Sequence, residues 1–273
     1  GRGRAAPLDD ADELARLDAG TPEWVAAVAR LGAGAHKLTS SGLVRAVEVL
    51  DGGLAGLALA EEAGAALRGP AEAVLCCLTP QMSVLGAAVV AAALRVMAAA
   101  KVEEQTCLDF LLARLLVTLR HERECFTPAL LASVAGALGA MHAAGTSAKR
   151  AASGASSAAN RRCVEALGEQ IAGGLAEFGE EDIARIGGFF LTGFMDDIQR
   201  RAVLGRAAEL RAGLRGQGGW VPAAMQSVEA VVRKHSFAFI AGLPDRTKDY
   251  LMRLKLSADQ ARAGAAPPAG GLP

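Results

Sequence analysis

Aromatic side chains are scarce in this chain, at 4% of the residues, although about half of the residues are apolar. Much of the apolar share is alanine, the strongest helix former. Alternating runs of β-branched residues, the pattern of a half-buried strand, are also few. The sequence therefore favours an all-α fold in which small side chains allow helices to pack closely.

A net charge is lacking as well, since 29 basic residues balance 29 acidic ones. The balance is uneven: residues 1–145 carry 12 basic and 16 acidic groups, and residues 146–273 carry 17 and 13. A neutral protein is not steered to nucleic acid as a whole. The second half can still present a basic face.

Patterns typical of catalytic or metal sites are absent from the sequence. The four histidines show no HxxxH spacing, and the five cysteines form no CxxC pair. The stretch GLRGQGGW lacks the Lys-Ser/Thr of a phosphate loop. We therefore predict no enzyme activity, catalytic residues, metal, cofactor or small-molecule substrate. The cysteines are interpreted as buried free thiols in a reducing compartment.

Two uncharged runs, Ala73–Leu94 and Cys125–Ala148, are long enough to span a membrane. Each contains a Thr-Pro pair and further polar residues. We interpret each as a loop followed by a buried helix, and we expect no membrane insertion.

One helix opening recurs along the chain: an apolar residue, a residue suited to capping, and often a proline. It begins LTSSGLVRAVEVL at Leu38, LTPQMSVLGAAVV at Leu78 and FTPALLASVAGAL at Phe126, with looser versions at Phe178 and Trp220. Threonine can cap a first-turn amide, and proline fits there because that amide lacks a helical partner. The openings are 40, 48, 52 and 42 residues apart, so each interval has room for a second helix. This spacing predicts an α-solenoid of irregular helix-turn-helix repeats of about 40–50 residues, with an irregular helical bundle as the alternative.

Further helices are predicted in the intervals, at Leu54–Gly69, Glu103–His121, Asn160–Phe178 and Ile198–Leu214, and one at Pro22–Leu31 precedes the first opening. Asp196 and Asp197 are expected to close the helix that opens at Phe178. Leu131 and Leu138 are expected to be buried between helices. The predicted organisation is an N-terminal extension at 1–20, a helical-repeat domain at 21–256 with a flexible Ser/Ala/Gly-rich loop at 145–159, and a disordered tail at 257–273.

Basic residues cluster in the second half. Arginine suits phosphate because its planar fork can bond two oxygens. A solvated face without a ligand is the alternative, and the scarcity of aromatics gives no support for readout by base stacking. The candidates for binding RNA phosphate are Arg161, Arg162, Arg200, Arg201, Arg211, Arg215, Arg233 and Lys234.

The Thr-Pro opening with small and apolar residues after it resembles the helical repeats of the octotricopeptide, heptatricopeptide and FAST-kinase-like families. The matching positions are Thr127, Pro128, Leu131, Val134, Ala137, Leu138 and Met141, with Thr79 and Pro80 as a second match. The resemblance extends over about Thr39–Phe239, although two intervals are long and no RAP-type terminal domain follows. It implies an organellar protein that contacts RNA within a ribosome or an RNA-processing complex.

The expected function is that of a non-catalytic component of a mitochondrial ribonucleoprotein in the organellar matrix. A mitoribosomal protein that contacts rRNA and neighbouring proteins is the leading hypothesis. The alternative is a protein-binding scaffold subunit of a large organellar complex without RNA contact.

Overall fold

The computed structural model describes residues 7–55, 61–143 and 158–213, together with Met252. These residues form ten α-helices and contain no β-strand, so the all-α prediction is confirmed. The helices are α1 Pro7–Leu14, α2 Pro22–Gly34, α3 Ser40–Leu54, α4 Glu61–Leu78, α5 Ala87–Ala99, α6 Gln105–His121, α7 Pro128–Ala143, α8 Ala158–Gly173, α9 Glu180–Gly193 and α10 Asp197–Gly213. Short 3₁₀ turns follow α2, α4, α6 and α8.

Three helices begin at a threonine cap. The hydroxyls of Thr21, Thr39 and Thr127 each accept a hydrogen bond at 3.2 Å from the amide three residues ahead. Each bond satisfies one first-turn amide that has no partner within the helix. The predicted openings at Thr39 and Thr127 are therefore confirmed.

The Thr79-Pro80 pair opens no α-helix, and this prediction was wrong. Thr79 and the five residues after it form a 3₁₀ turn, and α5 begins only at Ala87, after Gly86. The Thr79 hydroxyl donates a hydrogen bond to the carbonyl of Leu75 at 3.1 Å. It therefore bonds to the end of α4 instead of capping a new helix.

The predicted helix Leu54–Gly69 was misplaced. Leu54 ends α3, and α4 runs through Pro70 to Leu78. Pro70 lies where α2 and α4 approach each other closely. A Cβ added to Gly32 of α2 would lie only 2.5 Å from the Pro70 Cα. Glycine at position 32 therefore makes room for the proline.

Asp196 and Asp197 open α10 and do not close α9, contrary to the sequence-based interpretation. The backbone amide of Gln199 donates a hydrogen bond to the Asp196 carboxylate at 2.8 Å. The backbone amide of Asp196 donates one to the side-chain oxygen of Gln199 at 3.2 Å. This reciprocal pair is a capping box. Acidic groups are favourable here because the start of a helix carries the positive end of its dipole.

Helix packing follows the parity of the helix number. Each odd-numbered helix packs on the next odd-numbered one, from α1 to α9. Among the even-numbered helices, α2 packs on α4, α6 on α8 and α8 on α10, and the 3₁₀ turn after α4 contacts α6. The two helices of each consecutive pair, from α1 and α2 to α9 and α10, also contact each other. The core thus lies between an odd and an even layer.

Apolar residues of both layers fill this core. Leu131 and Leu138 are buried, as predicted. Helices α7 and α9 approach closely, because a Cβ on Gly136 would lie 2.1 Å from the Arg185 carbonyl oxygen. At Gly187, with φ 72° and ψ 150°, the backbone leaves the helical conformation inside α9. Only glycine adopts such angles without strain.

Two of the predicted boundaries, at residues 20 and 159, fall within the described residues. Helix α1 lies within the expected extension 1–20, and its Ala11 and Leu14 are buried against the core. Ala158 and Ala159 of the expected loop belong to α8, and the rest of that loop, the Trp220 opening and the tail 257–273 lie outside the described residues. Over the described ranges, no helix combines the length and hydropathy that a membrane crossing requires.

Candidate nucleic-acid interface

Two polar contacts tie α6 to α8. Near the start of both helices the Asn160 amide donates to the Asp109 carboxylate, and near their ends the Gln170 amide donates to the Leu119 carbonyl at 2.6 Å. The contacts are ten residues apart on α6 and also ten residues apart on α8. Equal spacing means that the two helices run parallel without a shift between them.

The first contact belongs to a partly buried polar cluster of Gln105, Asp109 and Asn160. Both amide side chains donate to the same oxygen of Asp109, Gln105 at 2.7 Å. Asn160 is only 1% exposed, and the side-chain oxygens of Gln105 and Asn160 are buried without a hydrogen-bond partner.

Exposed residues follow the members of this cluster along both helices. Phe110 directly follows Asp109 on α6 and is 50% exposed, and Val117 on the same helix is 45% exposed. Arg161 and Arg162 directly follow Asn160 on α8, and both are exposed. Phe110 and Arg161 thus each follow one member of the bonded pair Asp109 and Asn160.

The two arginines lie at an unfavourable place for helix stability. They occupy the beginning of α8, where the helix dipole repels positive charge. Further along α8, Glu165 and Glu169 are exposed, so the basic region is confined to the start of the helix. An anion there would be attracted both by the guanidinium groups and by the positive end of α8.

The other candidate residues do not all present an exposed charge, as the sequence-based expectation required. The Arg200 side chain is only 15% exposed; it pairs with Asp197 at 3.4 Å and donates to the Asp196 carbonyl at 3.2 Å. Arg201 is exposed. Arg211 lies in α10, while Arg215, Arg233 and Lys234 lie outside the described residues.

Arg206, in the same helix, has a structural role. It donates to the carbonyls of Ala176 and Phe178, at 2.9 and 3.2 Å, and so anchors α10 to the segment before α9. The arginine run of α10 thus includes side chains that hold the fold together. The structure gives the clearest exposed pair at Arg161 and Arg162.

Phe110 was not among the sequence candidates. Its helix reads as strongly apolar, but the buried residues Leu108, Leu111, Leu112 and Leu115 define one stripe. Phe110 lies off that stripe, and helical periodicity alone would have placed it toward solvent.

The odd layer carries a shallow groove of about 470 Å³ between α5, α7 and α9. Alanines and Gly136 form its floor, and Arg95, Ser133 and Arg185 are its polar residues. Arg95 is held by two bonds to Asp51, at 2.6 and 2.8 Å, and one to Ser133 at 2.9 Å. The Arg95 charge is therefore neutralised within the protein.

Comparison with protein families, characterised proteins and solved structures finds no match for this chain. Nowhere in the described ranges do three or more His, Cys, Asp or Glu side chains gather as possible metal ligands.

The five cysteines lie in the described residues as free thiols, but not all are buried as expected: Cys76 and Cys125 are exposed, and Cys77 is half-buried. Burial raises the pKa of Cys107 to about 12 and also raises that of Cys163. Partial burial, with Glu104 and Glu72 nearby, raises the pKa of Cys76.

These differences predict the order of thiol modification at neutral pH. A maleimide reagent should modify Cys125 first and Cys76 more slowly, because the thiolate is the reactive form. Cys107 and Cys163 should react only after unfolding in denaturant. Peptide mapping by mass spectrometry over a time course measures this order, and early labelling of Cys163 would contradict the packing of α8.

Proposed function

We propose that this chain is a non-catalytic RNA-binding protein, a component of a mitochondrial ribonucleoprotein such as the ribosome, where it contacts rRNA and neighbouring proteins. The observation that carries the proposal is the exposed pair Arg161 and Arg162 at the start of α8. The organellar assignment rests on the resemblance of the repeated helix openings to organellar repeat families.

Each part of this surface suits one part of RNA. The guanidinium groups can each bond two phosphate oxygens, and the dipole of α8 adds to their attraction. The exposed face of Phe110 offers a stacking surface for an unpaired base. The region is small, so the contact is one site among others on a larger RNA surface.

The packing of odd helices on odd and even on even supports an α-solenoid, in which helical pairs stack and each pair contacts its neighbours. Such stacks present extended layer surfaces that suit binding to large partners. An irregular bundle would pair helices without regard to parity. We therefore favour the solenoid.

The salt dependence of RNA binding tests the proposal. The variant Arg161→Gln/Arg162→Gln should reduce the slope of log affinity against log salt by about 0.7 for each phosphate of single-stranded RNA that the protein no longer neutralises. Fluorescence anisotropy with a labelled single-stranded oligonucleotide measures the slope, and circular dichroism checks that the fold is retained.

Arg16→Gln/Lys37→Gln is the matched control, because it also removes two exposed positive charges, but near α1 and α2. Its slope should stay close to that of the unmodified protein. Equal slopes for both double variants would rule out the α8 site. A protein that binds no RNA even at low salt would rule out the function.

The second candidate is a protein scaffold without RNA contact. It is favoured by the exposed apolar residues Phe110 and Val117, two turns apart on α6, because apolar patches on a surface mark protein interfaces. Under this hypothesis Phe110→Ser weakens assembly with protein partners, and neither arginine variant changes any binding.

A further inference from the structure

One face of α6 is an apolar stripe exposed to solvent. Thr106, Phe110, Ala113, Val117 and Arg120 are all exposed, and their spacing of four, three, four and three residues places them on one face of the helix. Phe110 is 50% exposed and Val117 is 45% exposed. Single exposed apolar side chains are normal, but a face whose three central residues are all apolar is suited to contact with another surface.

Neighbouring elements border this stripe on both sides. On one side Asp109 accepts a hydrogen bond from Asn160 of α8, and on the other Arg114 donates one to the Leu85 carbonyl at 2.6 Å. Asp109 and Arg114 lie about 140° apart around the helix axis, and the five residues of the stripe point between them. The stripe is therefore an outward-facing strip on which one further helix can lie.

The stripe reads nearly the same in both directions from Ala113. A large apolar side chain lies three residues before it, at Phe110, and four residues after it, at Val117, and a polar side chain lies seven residues away at each end. A twofold axis requires such a self-complementary surface, because both subunits use the same patch. With the axis at Ala113, Phe110 of one copy lies beside Val117 of the other, and the small central side chain allows a close approach.

The charges at the two ends of α6 have opposite signs. Glu103 and Glu104 precede the stripe, whereas Arg120 ends it and Arg123 follows. Glu124 also lies at the second end, in the 3₁₀ turn, but Arg120 is the charged residue on the stripe itself. An antiparallel pair of α6 helices therefore brings the acidic end of each to the basic end of the other, whereas a parallel pair would set like charges together.

We infer that α6 is a self-association surface, on which a second copy of this chain packs its own α6 antiparallel about a twofold axis at Ala113. The inference does not rest on the proposed RNA contact, which Arg161 and Arg162 carry. The dimer covers Phe110, so its ring is available to an RNA base only in the monomer.

The expected dimer is weak. Helix α6 has 17 residues and is therefore about 25 Å long. One face of such a helix buries less surface than a standard protein interface, so we expect a dissociation constant that is roughly micromolar or weaker. Sedimentation velocity of the full chain over a concentration series that spans the micromolar range measures it.

The first test removes the apolar centre of the stripe. Phe110→Ser/Val117→Ser should raise the dissociation constant of the dimer at least about tenfold, because buried anchor residues carry most of the binding energy of an interface. The control is Val84→Ser/Ile198→Ser, which also removes two exposed apolar side chains, both 78% exposed, but away from the stripe. It should leave the dissociation constant unchanged, and circular dichroism checks that both variants fold.

The second test reads the direction of packing from one position. Thr106 is chosen because Glu103 is bonded to Arg68, and Glu104 caps α6 through the Thr106 amide. In the antiparallel dimer Thr106 faces Arg120 of the second copy, and this contact occurs twice. Thr106→Glu should therefore tighten the dimer by about threefold to tenfold, and Thr106→Arg should weaken it by a similar factor. In a parallel dimer position 106 faces its own copy, so both substitutions would weaken association.

The third test locates the axis. Ala113→Cys, in a Cys76→Ser/Cys125→Ser background that removes the exposed native thiols, should give a disulfide-linked dimer under mild oxidation. A residue on a twofold axis faces its own copy, which brings the two new thiols together. Ala29→Cys in the same background is the control, since Ala29 is an exposed alanine of α2. It should give little linked dimer on a non-reducing gel.

A protein that stays monomeric over the whole concentration series would overturn the inference. So would a dimer that Phe110→Ser/Val117→Ser leaves unchanged, weakening by both Thr106 variants, or equal cross-linking from Ala113→Cys and Ala29→Cys. These outcomes leave the RNA contact at Arg161 and Arg162 untouched, because the salt dependence of RNA binding tests that contact separately.

Discussion

Replacing Gly136 by alanine should lower the free energy of unfolding by about 1–3 kcal/mol or more, the usual cost of overpacking. The added Cβ would lie 2.1 Å from the carbonyl oxygen of Arg185, well inside van der Waals contact. That atom is backbone, so no side-chain rotation can relieve the overlap. Either α7 and α9 separate along their length or the bend at Gly187 changes.

Gly205→Ala in α10 is the control, since a Cβ there meets no atom within 4 Å. Within a helix, alanine in place of glycine is favourable by roughly 0.5–1 kcal/mol, so this variant should gain stability. Urea unfolding followed by circular dichroism measures both variants. A Gly136→Ala protein as stable as the unmodified one would show that α7 and α9 are farther apart than described.

Leu138→Ala should cost about 2–5 kcal/mol, from the lost transfer free energy and the cavity left behind. Leu138 is 1% exposed and lies in α7, the helix that packs on both α5 and α9. A cavity there is enclosed on several sides, which limits how far neighbouring side chains can relax. The midpoint of urea unfolding should fall accordingly.

Leu130→Ala on the same helix provides the comparison, because Leu130 is only half-buried. The same atoms are removed with the same change in helix propensity, and the loss should be distinctly smaller. Equal losses at positions 130 and 138 would mean that α7 is rotated about its axis.

The sequence predicted those helix starts whose signal is local. Thr39 and Thr127 cap α3 and α7 because the cap bond spans three residues and depends on little else. The same two letters at Thr79-Pro80 failed because the Thr79 hydroxyl bonds backward to Leu75. A hydroxyl both donates and accepts, and its choice depends on where α4 ends.

The continuation of α4 through Pro70 was beyond local prediction. Proline in a helix interior is normally disruptive, so an end at Gly69 was the reasonable expectation. The structure accommodates Pro70 against Gly32 of α2, a residue remote in the chain. No pattern within a single helix records such a pairing.

The candidate site was predicted only in part, because a side chain's exposure depends on the contacts it makes in the folded chain. Arg161 and Arg162 were identified from the sequence, and both are exposed. Arg200 was named as a phosphate ligand although it is largely occupied by Asp196 and Asp197. Phe110 was missed because its helix was read as wholly apolar, although helical periodicity places it off the buried stripe.

The packing of each odd helix on the next odd helix and of even helices on even ones bears on how the chain acquires its structure during synthesis. Among the described helices, the main packing partners lie within two helices of each other along the chain. Low contact order of this kind favours rapid folding. The described helices can therefore pack onto one another in chain order as they emerge during synthesis.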